Sequence, residues 1–195
     1  MDTEFKHPVN SFISLMSGYT NFAVIGAGNF GNSIIQQLLK DKAAGTVKKI
    51  VVLTRQVKYP SLTSNLVVHD VLSTTDALVV DTQGSNTTVQ GDVKLIQVDY
   101  SKDDSIKQAL AGVHVVISTI QPTAIDVQAK IAAAAKEVGV QLFCPSEFGG
   151  ISENETDGIF AAKAAMQEKL KAMGLPYAAF YNGPFSDMAW IPYVS

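Results

Sequence analysis

Six residues near the start of the chain, Gly26-Ala27-Gly28-Asn29-Phe30-Gly31, stand directly behind the apolar run Phe22-Ala23-Val24-Ile25. The spacing is G-x-G-x-x-G, and its chemistry is anion binding. The first glycine permits a tight turn and the second lets backbone approach a pyrophosphate. The third lets a helix pack closely on the strand, so that its positive N-terminal end, opened by Asn29 and Phe30, faces the phosphates. Glycine-rich turns are common, and the hexad by itself is a weak sign. Its surroundings strengthen it: Ile34, Ile35, Leu38 and Leu39 share one helical face beyond Gly31, and Ile50-Val51-Val52-Leu53 then closes a β-α-β unit.

A second group of residues bears on which dinucleotide such a unit would hold. NAD-binding folds usually end the second strand in Asp or Glu, which bonds the ribose 2′-hydroxyl. Here that stretch reads Leu53-Thr54-Arg55, about 24 residues past Gly31, with no acid. A guanidinium would pair with a 2′-phosphate that a carboxylate would repel, so Arg55 favours NADP over NAD, with Lys58 as a looser assistant. The competing reading is a solvated loop arginine. Asp99, behind Ile96-Gln97-Val98, stands at the lip of the third strand, where it meets an adenine edge or caps the helix starting near Ser101-Lys102. Ser118, Thr119 and Ile120 end the fourth strand at the carboxyl edge, where ligands collect in open α/β folds; the alternative is a plain strand-to-helix turn. His114 lies at the wrong end of that strand for chemistry. Cys144 reads as a packed strand residue, since no base is spaced to activate it.

The elements that must position these groups follow from the hydrophobic pattern. Strands are expected at 21–26, 49–54, 94–98, 113–118, 140–144 and 176–181, and helices at 29–43, 103–111, 123–138 and 157–173. The alternation predicts an α/β fold: a Rossmann-type doubly wound parallel sheet with right-handed crossovers. Asp103 and Asp104 suit the first turn of a helix, Pro122 suits the entrance to the next, and Gly139 stops it. Segment 58–92 fits least well; it is rich in Ser, Thr, Asn and Asp, and reads as an inserted hairpin or a short helix. Residues 1–19 read as a loosely held extension ahead of one domain spanning 20–195.

Composition narrows the classes. With 195 residues, 47% of them hydrophobic, and a net charge of −3, the chain can bury one core and carries no basic footprint for nucleic acid. No segment is apolar enough to span a membrane, and Met1-Asp2-Thr3-Glu4 lacks the positive start of a secretory signal. One cysteine excludes a disulfide framework, and no Cys/His cluster suggests a metal. The expected place is the cytoplasm, or the nucleus for a regulator.

Val52-Leu53-Thr54-Arg55, Val115-Val116-Ile117-Ser118-Thr119 and above all Cys144-Pro145-Ser146-Glu147-Phe148-Gly149 resemble the NmrA-like and isoflavone reductase-like proteins, which are atypical short-chain dehydrogenases. The resemblance runs from about Asn21 to Phe185. It implies that Pro145, Ser146 and Phe148 follow the fifth strand and line the nicotinamide end of a cleft. Many members have Thr in place of Gly28, which here restores the general dinucleotide fingerprint. Phe160-Ala161-Ala162-Lys163 matches the helix carrying the family's reductase lysine, implying that Lys163 contacts the nicotinamide ribose and takes part in proton transfer. The usual Tyr-x-x-x-Lys is absent, since Ile159 holds the tyrosine's place.

The helix pattern gives Lys163 independent support. Ile159, Met166, Leu170 and Met173 form the apolar stripe. Lys163 lies roughly 40° from Ile159, against roughly 80° for Lys169 and 120° for Lys171. It either snorkels outward or faces a polar cleft. Glu147 acts in the cleft or steadies its turn. Family members continue past the equivalent of Asn182-Gly183-Pro184-Phe185, so the substrate portion is expected to be largely missing before Ser195. The expected activity is NADP(H)-dependent reduction of a small, aromatic substrate. The alternatives are an NmrA-type dinucleotide sensor with a regulatory protein partner, or an inactive truncated remnant.

Overall fold

The computed structural model describes residues 18–55, 57–58, 78–82, 85–89, 92–121 and 124–183. The chain groups into two compact units, 1–98 and 99–195.

In the first unit β1 (Asn21–Ile25) leads through a glycine turn into α1 (Asn29–Ala43) and on to β2 (Lys49–Thr54), with β6 (Lys94–Gln97) on the far side of β2. All three strands are parallel, with Val24 beside Val52 and Val52 beside Leu95. Phe22 to Ile25 and Ile50 to Leu53 are buried without alternation, as strands covered on both faces require. Helix α1 buries Gly31, Ile34, Ile35 and Leu38, while Leu39 lies at the margin of that stripe. Each fully buried aliphatic side chain stabilises by about 1.5–3 kcal/mol, so this layer supplies the rigidity behind the glycine turn. Between β2 and β6 the chain forms a separate antiparallel sheet of β3 (Val57–Lys58), β4 (Leu78–Thr82) and β5 (Ser85–Val89). Of the two readings open for segment 58–92, β4 and β5 bear out the hairpin, Leu78 pairing with Val89. Leu66-Val67-Val68 lies outside the described residues.

The second unit repeats the alternation. Helix α2 (Asp103–Leu110) precedes β7 (Val115–Ser118), then α3 (Ile125–Glu137), β8 (Leu142–Cys144) and α4 (Gly158–Met173). Strands β7 and β8 are parallel, Val116 beside Phe143. Asp103 and Asp104 occupy the first turn of α2, and Gly139 follows the C-cap Val138 with φ +81°. Pro122 lies outside the described residues, as do residues 1–17.

The strand expected at 176–181 is reduced to a single bridge between Phe143 and Tyr177. Phe143 N–H donates to Pro176 O at 2.9 Å, and Ala178 N–H donates to Phe143 O at 3.0 Å. The next rung would need an N–H from residue 145, which is proline, so the ladder stops after one step. The expected apolar stripe of α4 also needs correction. Met166 and Leu170 are buried, but Ile159 is exposed in the helix's first turn, and the buried places beside them go to Lys163 and Gln167.

Candidate functional site

In the first unit the glycine loop has the geometry its spacing implies. Gly26 adopts φ +89°, open to glycine and strained for other residues, and its N–H reaches back to Leu53 O at 3.5 Å. Gly28 caps α1 in an extended conformation, and its carbonyl accepts from Asn32 N–H at 2.7 Å. The N-cap, a glycine, offers no side-chain cap and no acid stands in the first turn of α1, while Lys40 and Lys42 occupy the last turn. The helix therefore presents a positive end without a built-in carboxylate to compete for it. Asn29 is exposed, Phe30 half-buried and Gly31 buried. One residue on, the Asn32 Oδ1 is buried with no hydrogen-bond partner, which the glycine pattern gave no reason to expect. The glycine turn and the positive helix end fit a bound pyrophosphate, whereas the Asn32 oxygen, an acceptor, does not add to an anion's hold. Arg55 follows the last residue of β2 and is exposed. For Lys58 the described backbone places it opposite Val79.

The second unit holds the remaining candidates. Asp99 is exposed, and its carboxylate is taken up locally: Ser101 donates to it from N at 3.0 Å and from Oγ at 2.6 Å, and Lys102 lies 3.3 Å away. It closes a turn ahead of α2, whose N-cap is Lys102. Ser118 ends β7 fully buried, its Oγ without a hydrogen-bond partner; Thr119 and Ile120 are half-buried. Ser146 braces this exit: its Oγ donates to Ile120 O at 2.7 Å and its N–H donates to Gln128 Oε1 at 2.8 Å. Pro145 is buried, and Phe148 stacks on Phe180 with ring centroids 6.3 Å apart. Cys144 is fully buried, and burial pushes its thiol well above the usual range.

Lys163 is 8% exposed, so it does not snorkel. Its Nζ donates to Glu147 O at 3.0 Å and Phe148 O at 3.2 Å, and lies 5.8 Å from the Phe160 ring centroid. Helix α4 supplies the lysine and the turn after β8 supplies the carbonyls. Gly149 follows in that turn at φ +139°, a conformation that favours glycine. Burial lowers the lysine's proton affinity below its ordinary value, and the Glu147 carboxylate works against that fall.

Four residues in the polar network of this unit were not singled out by the sequence pattern. Gln128 supports Ser146, as above. Gln167, Ser152 and Tyr181 form a chain: Gln167 Nε2 donates to Ser152 Oγ at 3.0 Å and to Tyr181 Oη at 2.9 Å, and Ser152 Oγ donates to Glu147 Oε2 at 2.5 Å. Gln167 carried a usable signal, since it stands four residues after Lys163 on one helical face. Burial is the main cause that raises the Tyr181 hydroxyl's pKa, with the Gln167 and Ser152 bonds opposing it.

Among the described residues no group of three or more His, Cys, Asp or Glu could hold a metal, and no helix is long and apolar enough to cross a membrane.

The backbone is a Rossmann-type α/β fold. A triphenylmethane reductase from Citrobacter sp., solved with NADP(H), matches at a TM-score of 0.56 and 21% identity, over 86% of this chain and 51% of that one. The alternating α/β fold read from the pattern is thereby borne out. The NmrA-like family model matches residues 20–191, and the chain belongs to that family. Eugenol synthase 2 of Clarkia breweri is 40% identical over 105 residues, 48% of this chain and 33% of that protein. Phenylcoumaran benzylic ether reductase Betv6 of Betula pendula is 38% identical over 107 residues, again 48% of this chain and 33% of the relative. The match thus spans about a third of either plant protein's length.

Proposed function

We propose that this chain is the dinucleotide-binding part of an NADP(H)-dependent reductase acting on a small, aromatic substrate. The observation that carries the reading is Lys163, a buried lysine held on the carbonyls of the Pro145–Gly149 turn, in a chain that belongs to the NmrA-like family. The Citrobacter reductase, whose structure contains NADP(H), and the two plant proteins, whose names point to phenylpropanoid chemistry, support the cofactor and the substrate class.

From the first unit, Gly26, Gly28 and the Asn29–Gly31 turn of α1 receive the pyrophosphate, and Arg55 pairs with the 2′-phosphate. From the second, Ser118, Thr119, Ile120, Pro145, Ser146 and Phe148 form the lining of the nicotinamide end, and Lys163 hydrogen-bonds the ribose. Asp99 contributes at the adenine edge through whatever of its carboxylate Ser101 leaves free. When bound, NADPH supplies the hydride. Lys163 holds or moves the proton that must accompany it, and its lowered proton affinity brings it closer to the working range of a general acid.

Calorimetric titration with NADPH and NADH tests the cofactor half. Tighter NADPH binding, lost in Arg55→Ser, is expected; equal affinities would remove Arg55 from the reading, and no binding to either would end it. NADPH oxidation against a panel of phenylpropanoid and carbonyl compounds tests the chemistry. Lys163→Ala is expected to lower kcat by about 100-fold or more, the usual contribution of a positioned proton donor. Dinucleotide binding without turnover on any of them would instead favour the sensor role.

A further inference from the structure

The mechanism above leaves one buried acid without a task. Glu147 is 1% exposed and stands in the turn that cradles Lys163. Its backbone and side chain are held by different partners. The backbone carbonyl accepts directly from Nζ at 3.0 Å, whereas the side-chain carboxylate is held by Ser152. Gln167 spends its side-chain amide on Ser152 Oγ and Tyr181 Oη, so each hydroxyl is left to donate onward to a carboxylate. Ser152 donates to Glu147 Oε2 at 2.5 Å, and Tyr181 reaches Glu153 Oε1 at 3.4 Å. The order of donors is thus settled from α4 outward, ending on two acids. Glu147 Oε1, the other oxygen, is buried with no hydrogen-bond partner. One hydroxyl is all that offsets this carboxylate by hydrogen bonding among the described residues, and the rest of its charge acts on its surroundings.

We propose that Glu147 is a positioning residue for Lys163, its carboxylate anchored through Ser152 and Gln167 to the helix that carries the lysine, and that this anchored charge strengthens the lysine's hold on its proton. The charged and titratable groups around the pair are Glu147 in the turn after β8, Glu153 just beyond it and Tyr181 in the segment after α4. Glu147 is the one whose charge acts on Lys163 itself; both Glu147 and Glu153 act on Tyr181. Ser152 sets the strength of the effect, because the bond it donates draws carboxylate charge away from the ammonium. Its removal and the removal of the acid must then shift the lysine in opposite directions, which a brace of purely mechanical use would not do.

The proposal rests on Lys163 being the proton-handling group, but its test reads Lys163 directly. The full chain is acylated with a water-soluble reagent at a series of pH values, and the rate at Lys163 is followed by mass spectrometry. E147Q, which keeps the shape and removes the charge, is expected to move the Lys163 midpoint down by about one pH unit, a tenfold weaker hold on the proton. E147D, which keeps the charge, is expected to restore most of that shift. S152A is expected to move the midpoint upward, and it carries the test alone if E147Q does not unfold cooperatively in urea. A folded E147Q with the wild-type midpoint overturns the proposal, as does a midpoint in S152A that stays or falls. Shifts as expected in a protein that reduces nothing would overturn the reductase reading and leave the positioning role standing.

Discussion

Lys163 carries its charge where water scarcely reaches, and the consequence is a stability that depends on pH. Its proton affinity in the folded chain lies below the ordinary value of 10.5. Between the lowered value and 10.5 the unfolded chain binds more protons, so stability rises with pH through that window and is lost as pH falls through the folded value. Tyr181, raised above 10.0, adds stability that is lost again as pH climbs past its folded value. Urea unfolding of wild type and Lys163→Met from pH 7 upward separates the two: the rise is expected to disappear in the variant, while the Tyr181 fall remains. Gln167→Leu strips donors from Ser152 and Tyr181 together, and is expected to cost about 1–3 kcal/mol in the same assay. The lysine was legible because helical spacing set it nearest the buried face. Its neighbours were not. Ser152 comes close only through folding of the turn after β8, and nothing in the run Ile151-Ser152-Glu153 could announce a hydrogen bond to Glu147.

At the scale of elements, the βα turn and the stub of strand after α4 show opposite relations between pattern and structure. The β1–α1 turn follows directly from its residues, since Gly26 at φ +89° is a demand that the hexad states in advance. Gly26→Ala is expected to cost about 1–2 kcal/mol through the strained backbone alone and to weaken dinucleotide binding as the turn shifts; thermal unfolding and calorimetry read the two effects separately. The strand predicted at 176–181 had the composition of a strand, yet pairing takes a partner with donors. Pro145 belongs to the family signature, and it is also what ends the ladder from Phe143. Local propensity could not reveal this, because the missing N–H belongs to a residue about thirty positions away. Ile159 departs from its pattern as well: periodicity set it on the stripe, but it stands in the first turn of α4 and is exposed.

For the whole molecule, the α/β alternation and the family were both readable, because parallel strands such as Phe22–Ile25 and Ile50–Leu53 are continuous apolar runs, the first of them ending in the glycine hexad. The inserted β4–β5 hairpin admits two readings from sequence, since its polar run of Ser, Asn and Thr gives neither a helical nor an alternating apolar period. A ligand that binds the folded chain must stabilise it: NADPH at 100 times its Kd is expected to add about 2.7 kcal/mol, and NADH at the same concentration less, as a thermal-shift series would read. Such a series has a built-in reporter. Cys144 is the chain's one cysteine, it is fully buried, and burial holds it as the unreactive thiol. Alkylation in the native state then waits on opening around β8, and one mass increment counts each opened molecule without a dye, a label or an engineered residue. The slowing of that increment by NADPH would time how long a cofactor keeps the neighbourhood of the Pro145–Gly149 turn shut.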